Sequence, residues 1–165
     1  MTPRSLRGFN LLEMGVTLAV LAVLITLAAP TYNRYQQRQQ LRLAGDALAR
    51  DALAAREAAI AQGRPAFLVL KGGETNWCWG VSVAAPCDCR QAVRACRIAT
   101  HHAQEHRNVQ VRRDQQLEWN PSLGHSGSLG QITLTSTSGE SLTLKLDAQG
   151  RPNACGSASR TATPC

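Results

Sequence analysis

Aromatic and charged side chains are both scarce in this sequence. Phe, Trp and Tyr account for 4% of the 165 residues and charged residues for 18%, whereas 44% are hydrophobic. A core must therefore be built mainly from Leu, Val, Ile and Ala, and the apolar fraction excludes a wholly disordered chain. The length excludes several large domains. Six cysteines are too few for a fold that disulfides alone hold together.

Residue patterns typical of enzymes are missing as well. No Ser/His/Asp spacing, phosphate-binding loop or pair of carboxylates stands out. The segment Gly124-His-Ser-Gly127 lies within the glycine- and serine-rich stretch 122–130, which is typical of a loop and not of a nucleophile elbow. We therefore expect no enzymatic activity and no cofactor.

Charge is absent from one long segment near the N-terminus. Twenty residues from Met14 to Asn33 carry no charge. With the apolar residues just before them, they form a stretch long enough to span a hydrocarbon core of about 30 Å. Arg4 and Arg7 precede the stretch without any acid, which predicts a single-pass protein with a cytoplasmic N-terminus. A cleaved secretory signal is the alternative, but its apolar region is usually only about 7–15 residues.

Glu13 does not fit a plain membrane anchor, because a carboxylate at the start of an apolar segment needs a partner. The string Gly8-Phe9-Asn10-Leu11-Leu12-Glu13 resembles the processing signature of type IV prepilins and type II secretion pseudopilins. The resemblance implies that prepilin peptidase cuts the leader 1–8 between Gly8 and Phe9, and that Phe9 is then N-methylated. It also implies that Glu13 aids assembly by pairing with the new amine of a neighbouring subunit.

A long helix is predicted after the cleavage site. Residues 9–31 would form the transmembrane and assembly part, and residues 32–62 an amphipathic continuation. Small and apolar residues recur there at steps of three and four, as expected for a stripe against a globular head: Leu41, Gly45, Leu48, Ala52, Ala55 and Ala59. Gln62-Gly63-Arg64-Pro65 reads as the end of the helix.

The remainder, 63–165, is predicted to be a β-rich periplasmic head. Alternating segments predict strands at 66–71, 77–83, 109–112, 131–136 and 141–146, with a hairpin around Ser138-Gly139-Glu140. The expected fold class is therefore α+β, a type IV pilin-like long helix packed on an antiparallel β-sheet head.

The head resembles the FimT/GspH branch of the pilin superfamily. The resemblance rests on the Trp-x-x-Gly stretch at Trp77, the glycine-rich loop, the hairpin beginning near Ile132 and the following Gly150-Arg151. It implies a minor pilin or minor pseudopilin that resides in the inner membrane before it enters a filament. Its partners would then be other pilin or pseudopilin subunits, the prepilin peptidase/methyltransferase, the inner-membrane assembly platform and membrane lipid.

All six cysteines follow the apolar segment and would lie in an oxidising compartment: Cys78, Cys87, Cys89, Cys96, Cys155 and Cys165. Fifteen complete pairings are possible. Cys155 with Cys165 is the simplest pair, and the other four cysteines would form disulfides that cross-link the loop around Cys87-Asp88-Cys89. The alternative is a metal site in which Cys87, Cys89 and Cys96 join His101, His102 and His106. Paired Cys-x-x-Cys knuckles are missing, so we expect no metal site and assign His101 and His102 to a solvated loop.

The charge balance is basic, with 18 Lys and Arg against 11 Asp and Glu. Between residues 90 and 113 there are six arginines and a single acid, Glu105. This surplus predicts a solvated basic face, a surface for acidic partner subunits or a footprint for DNA phosphates.

FimT-type minor pilins that bind DNA use a Gly-Arg-x-Arg motif near the C-terminus. Here Gly150-Arg151-Pro152-Asn153 has the first arginine and lacks the second, which Arg160 would have to replace. The candidate DNA-binding residues are therefore Arg112, Arg113, Arg151 and Arg160. Three roles stay open: a FimT-like minor pilin of a type IV pilus, a GspH-like pseudopilin of type II secretion, and a DNA receptor at the pilus tip.

Overall fold

A computed structural model describes residues 10–73, 75–91, 96–122, 130–159 and 165, apart from the side chains of Ala28 and Pro30. Helix α1 spans Leu11–Gln62, and a short 3-10 turn spans Ala103–Glu105. The strands are β1 (Ala66–Lys71), β2 (Cys78–Val83), β3 (Ala99–His102), β4 (Val109–Gln110), β5 (Gln115–Trp119), β6 (Gln131–Ser136), β7 (Ser141–Leu146) and β8 (Pro152–Cys155).

The chain divides into two compact units between Tyr35 and Gln36. In the first unit, the apolar side chains of α1 are exposed, from 52% for Leu21 to 89% for Leu11. Helix α1 is long and apolar enough to cross a membrane. A row of exposed leucines and valines of this size is typical of a surface that contacts lipid or other helices.

In the second unit, the later turns of α1 pack on the head through the predicted stripe. Leu41, Leu48, Ala52, Ala55 and Ala59 are fully buried, which confirms the periodicity. Gly45 belongs to the same stripe because helix and sheet approach closely there. A Cβ at this position would lie 2.7 Å from Leu142 Cδ1, a contact that only glycine avoids.

The head consists of two four-stranded antiparallel sheets and not of one. Their strand orders are β3-β2-β1-β5 and β4-β6-β7-β8. Buried side chains from both sheets join the helix stripe in a single hydrophobic cluster that includes Trp79, Leu117 and Leu144. The α+β class is confirmed: one long N-terminal helix packs on an antiparallel β head.

The predicted strands 66–71, 131–136 and 141–146 match β1, β6 and β7, and β2 begins one residue later than predicted. The predicted strand 109–112 is shorter: β4 ends at Gln110, and Val111 makes only an isolated bridge to Gly73. Strands β3, β5 and β8 were not predicted. The loop assignment of His101 and His102 is wrong, because both belong to β3, where they pair with Trp79 and Cys78 and are half-buried.

Candidate functional site

Glu13 lies in the first turn of α1, where a carboxylate interacts favourably with the helix dipole. Its side chain is exposed and makes no hydrogen bond or ion pair within the part of the chain that the structure describes. It is thus available for a partner supplied by another molecule. Gly8 and Phe9 lie outside the described residues, so cleavage and methylation there stay predictions.

The six cysteines form three disulfides: Cys78–Cys89, Cys87–Cys96 and Cys155–Cys165. The pairing of Cys155 with Cys165 is confirmed, as is the grouping of the other four. Because every sulfur is engaged in a disulfide, a metal site built on Cys87, Cys89 and Cys96 is wrong.

The first four cysteines form a buried cluster of their own, which we call the cysteine cap. It covers the face of β2 opposite to the main core, since Gly80 points at Cys96 while its neighbours Trp79 and Val81 belong to the main core. The cap therefore covers the second face of β2, which is buried along almost its whole length.

Arg112 and Arg113 lie exposed between β4 and β5. They line an open groove of about 460 Å³ whose other walls are uncharged and polar. We call this the basic groove; its lining is Arg112, Arg113, Gln115, Gln131, Thr133 and Thr135. Guanidinium groups beside amides and hydroxyls form a surface that suits phosphate oxygens.

The other arginines of the segment 90–113 do not join this groove in the described structure. Arg97 and Arg107 are exposed elsewhere on the head, and Arg90 donates a hydrogen bond to the Gly72 carbonyl. Arg94 lies outside the described residues. The basic segment is therefore spread over several surfaces, and the groove contains only its last two arginines.

Arg151 has a structural role in the turn between β7 and β8. Its Nε donates to Asp147 Oδ2 at 3.0 Å, and its backbone N–H donates to Asp147 Oδ1 at 2.8 Å. The bond from the Arg151 backbone, together with the guanidinium, holds the pKa of Asp147 below its ordinary value. Gly150 has a φ of +72° and accepts a hydrogen bond from buried Trp119 Nε1 at 3.0 Å.

Gly150 and Arg151 therefore shape a turn that is anchored on the core. The guanidinium is engaged with Asp147, so this arginine is a weaker candidate for phosphate contact than the arginines of the basic groove. Arg160 lies outside the described residues, and its role stays a prediction.

The structure also assembles a cluster that the sequence revealed only in part, because Glu105 and Asp51 were not among the candidate ligands. His101 on β3 and His106 after the 3-10 turn lie beside Trp77 and Trp79, with Glu105 and Asp51 at the edge. Burial would raise the pKa of Glu105, but hydrogen bonds from His101 and the His102 backbone outweigh it and lower that pKa. Partial burial lowers the pKa of His106, and the nearby His101 adds to the effect.

The spacing of His101, Glu105 and His106 could have suggested this cluster. Asp51, on a helix some fifty positions earlier, could be found only from the fold.

Comparison with protein families adds a decisive observation to this geometry. The family model described as "Type II transport protein GspH" matches residues 44–150, which run from the buried half of α1 through β7 to the turn at Gly150. The chain belongs to the GspH family. No curated protein and no solved structure is significantly similar to it.

Membership of the GspH family supports a pseudopilin or minor pilin role, in type II secretion or in a pilus system. Such proteins are structural subunits that assemble with other subunits. The matched segment covers the helix stripe from Gly45 onward, the basic groove, the cysteine cap and the cluster of His101, Glu105 and His106. It includes neither the stretch from Gly8 to Glu13 nor the C-terminal disulfide.

Proposed function

We propose that this chain is a FimT-like minor pilin, anchored in the inner membrane as a prepilin and assembled into a type IV pilus after removal of residues 1–8. The observation that supports the proposal best is the exposed apolar part of α1, which carries a single carboxylate, Glu13, within its first turn. In a filament, packing against neighbouring helices would replace lipid around these side chains, and a neighbour's amine would neutralise Glu13.

The proposed topology places the N-terminus in the cytoplasm and the head in the periplasm. The three disulfides support this assignment, because such bonds persist in oxidising compartments. The peptidase and methyltransferase activities belong to another enzyme, for which this chain is a substrate.

Deleting the gene in its own host tests the proposed function. We expect the deletion strain to lose most of its surface pili and its twitching motility, while secretion of folded proteins into the medium stays normal. Expressing the wild-type chain from a second locus should restore the pili. The opposite result, intact pili with blocked secretion, would overturn the pilus assignment and favour the alternative of a GspH-like pseudopilin in a type II secretion system.

The basic groove favours DNA binding as a second candidate function. Arg112 and Arg113 present two cations beside a polar wall, and within the described structure no carboxylate pairs with either side chain. Each arginine that contacts a phosphate releases about one counterion, so the slope of log K against log salt reports their number.

We expect the full-length protein in detergent to bind duplex DNA with an affinity that falls steeply with salt. The double variant Arg112→Ala/Arg113→Ala should reduce that slope by about 2. Arg50→Ala, at an exposed arginine on α1, is the matched control and should leave it unchanged.

Arg151→Ala should also leave the slope unchanged, because Asp147 already engages this guanidinium. No binding at low salt, or an equal loss in the Arg50 variant, would exclude the basic groove as a DNA site. Fluorescence anisotropy with a labelled duplex provides the measurement.

A further inference from the structure

The cluster of His101, Glu105 and His106 has the composition and arrangement of a transition-metal site. One ring nitrogen from each histidine and one carboxylate oxygen of Glu105 lie within 4.8 Å of one another. Two imidazoles and a carboxylate are a ligand set typical of zinc, with the fourth position left to water. We propose that His101, Glu105 and His106 bind one Zn²⁺ ion on the periplasmic head.

The distances leave room for the ion after small movements. His101 Nδ1 and Glu105 Oε2 are 2.6 Å apart, whereas two ligands on a tetrahedral zinc ion are about 3.3 Å apart. The centres of the two imidazole rings are 5.8 Å apart. This agrees with the spacing of about 5–6 Å expected when two rings share one ion at the usual bond length.

His106 provides an independent observation. Its Nε2 atom is buried and has no hydrogen-bond partner within the described part of the chain. A buried polar nitrogen without a partner is unfavourable, and coordination of a cation would satisfy it. The ring is also held in place, since it stacks on Trp79 at 5.1 Å with an angle of 17° between the planes.

The surroundings of His101 match the outer shell of a metal site. While Nδ1 faces Glu105, Nε2 faces Asp51 Oδ2 at 3.4 Å. The same Asp51 oxygen accepts a hydrogen bond from Trp79 Nε1 at 2.7 Å. Metal-bound histidines usually give their second N–H to a carboxylate, which fixes the ring and makes the ligand more basic. Asp51 is therefore a positioning residue, and it connects the site to α1.

Glu105 is positioned by the backbone. Its Oε1 accepts a hydrogen bond from the His102 N–H at 3.0 Å, which leaves Oε2 directed at His101. The residue lies at the end of the 3-10 turn that follows β3, so strand and turn together bring both histidines to one side of the carboxylate. The disulfides leave no thiolate within the described residues to compete for the ion.

Zinc titration of the full-length protein tests this proposal. The protein is purified in detergent, stripped with EDTA and titrated with Zn²⁺ in a calorimeter. We expect one ion per chain and a dissociation constant below about 10 µM. Glu105→Gln and His106→Gln should each weaken binding at least a hundredfold, and Asp51→Asn by about 10–100-fold, as for outer-shell residues generally.

His102→Gln is the matched control, since this histidine is the neighbour of His101 on β3 and lies outside the ligand set. It should leave the affinity unchanged. X-ray absorption of the zinc-loaded protein should report two imidazole ligands, and one in His106→Gln. Because Glu105 is largely exposed, Glu105→Gln tests the site even where a histidine variant fails to fold.

Three results would overturn the proposal: no binding at about 100 µM Zn²⁺, an affinity that neither Glu105→Gln nor His106→Gln changes, or a spectrum without imidazole. In those cases His101 would remain a hydrogen-bond partner of Glu105 close to Asp51 and nothing more.

Discussion

Replacing Glu13 by alanine is expected to abolish incorporation of this subunit into filaments while its leader is still removed. In the proposed filament, the carboxylate meets the new N-terminal amine of a neighbour within a packed bundle of apolar helices. Removing one member of a buried ion pair leaves the other charge uncompensated, at a cost of about 3–5 kcal/mol. That cost is equivalent to a factor of roughly 100 or more in an assembly equilibrium.

The measurement compares the amount of subunit in sheared filaments with the amount in membranes, for wild type and variant. Glu57→Ala is the matched control, because Glu57 is an exposed glutamate on the head-packed part of α1. It should leave incorporation unchanged.

Gly8→Ala is the companion variant and should accumulate as a precursor longer by the eight leader residues. Normal maturation of Gly8→Ala would contradict the cleavage site, and normal incorporation of Glu13→Ala would contradict the assembly role.

Gly80→Ala is expected to destabilise the head strongly although it adds a single methyl group. A Cβ at this position would overlap Cys96 Sγ and lie 2.7 Å from Cys96 Cβ and 3.3 Å from Cys87 Sγ. The strand cannot withdraw, because Trp79 and Val81 on its other face are fully buried. If β2 shifts to accommodate the methyl group, overpacking lowers the free energy of unfolding by about 1–3 kcal/mol. If the Cys87–Cys96 disulfide fails to form instead, its loss lowers that free energy by about 2–4 kcal/mol.

A double-mutant cycle separates this overlap from a general effect of alanine in a strand. Removing the disulfide with Cys87→Ala/Cys96→Ala creates space above Gly80, so adding Gly80→Ala in that background should cost much less than it does in the wild type. The free energy of unfolding of all four proteins is measured with denaturant, and free thiols are counted by alkylation. An equal cost in both backgrounds would show that the cysteine cap does not constrain Gly80.

The helix and the most apolar strands could be predicted from the sequence, because each carries its signal locally. The stripe from Leu41 to Ala59 has helical spacing, and β1, β6 and β7 alternate or are continuously apolar. Strand β5 has a weaker signal: Leu117 and Trp119 are buried alternately between polar residues. Strand β8 begins with Pro152, which normally argues against a strand, and is tolerated because β8 lies at the edge of its sheet.

Among the candidate site residues, too, those with a local signal could be predicted from the sequence, and those that depend on the fold could not. Glu13 stands out in an uncharged segment, and the close pair Cys155–Cys165 could be inferred from its spacing. The interaction of Arg151 with Asp147 and that of His101 with Asp51 depend on turn geometry and on helix packing. These features become visible only once the chain is folded. The motif-like Gly150-Arg151 suggested phosphate contact, whereas its geometry is that of a turn.

The connectivity of the cysteine cap has a consequence for the order in which the head matures. Its two disulfides interleave, since Cys87 lies between Cys78 and Cys89 along the chain. In the proposed topology, Cys78 and Cys87 reach the oxidising side of the membrane first, and these two are not native partners. Rapid oxidation in order of arrival would therefore trap a wrong bond, which must be exchanged through a mixed disulfide. Production of this subunit should depend on a disulfide isomerase as well as on an oxidase.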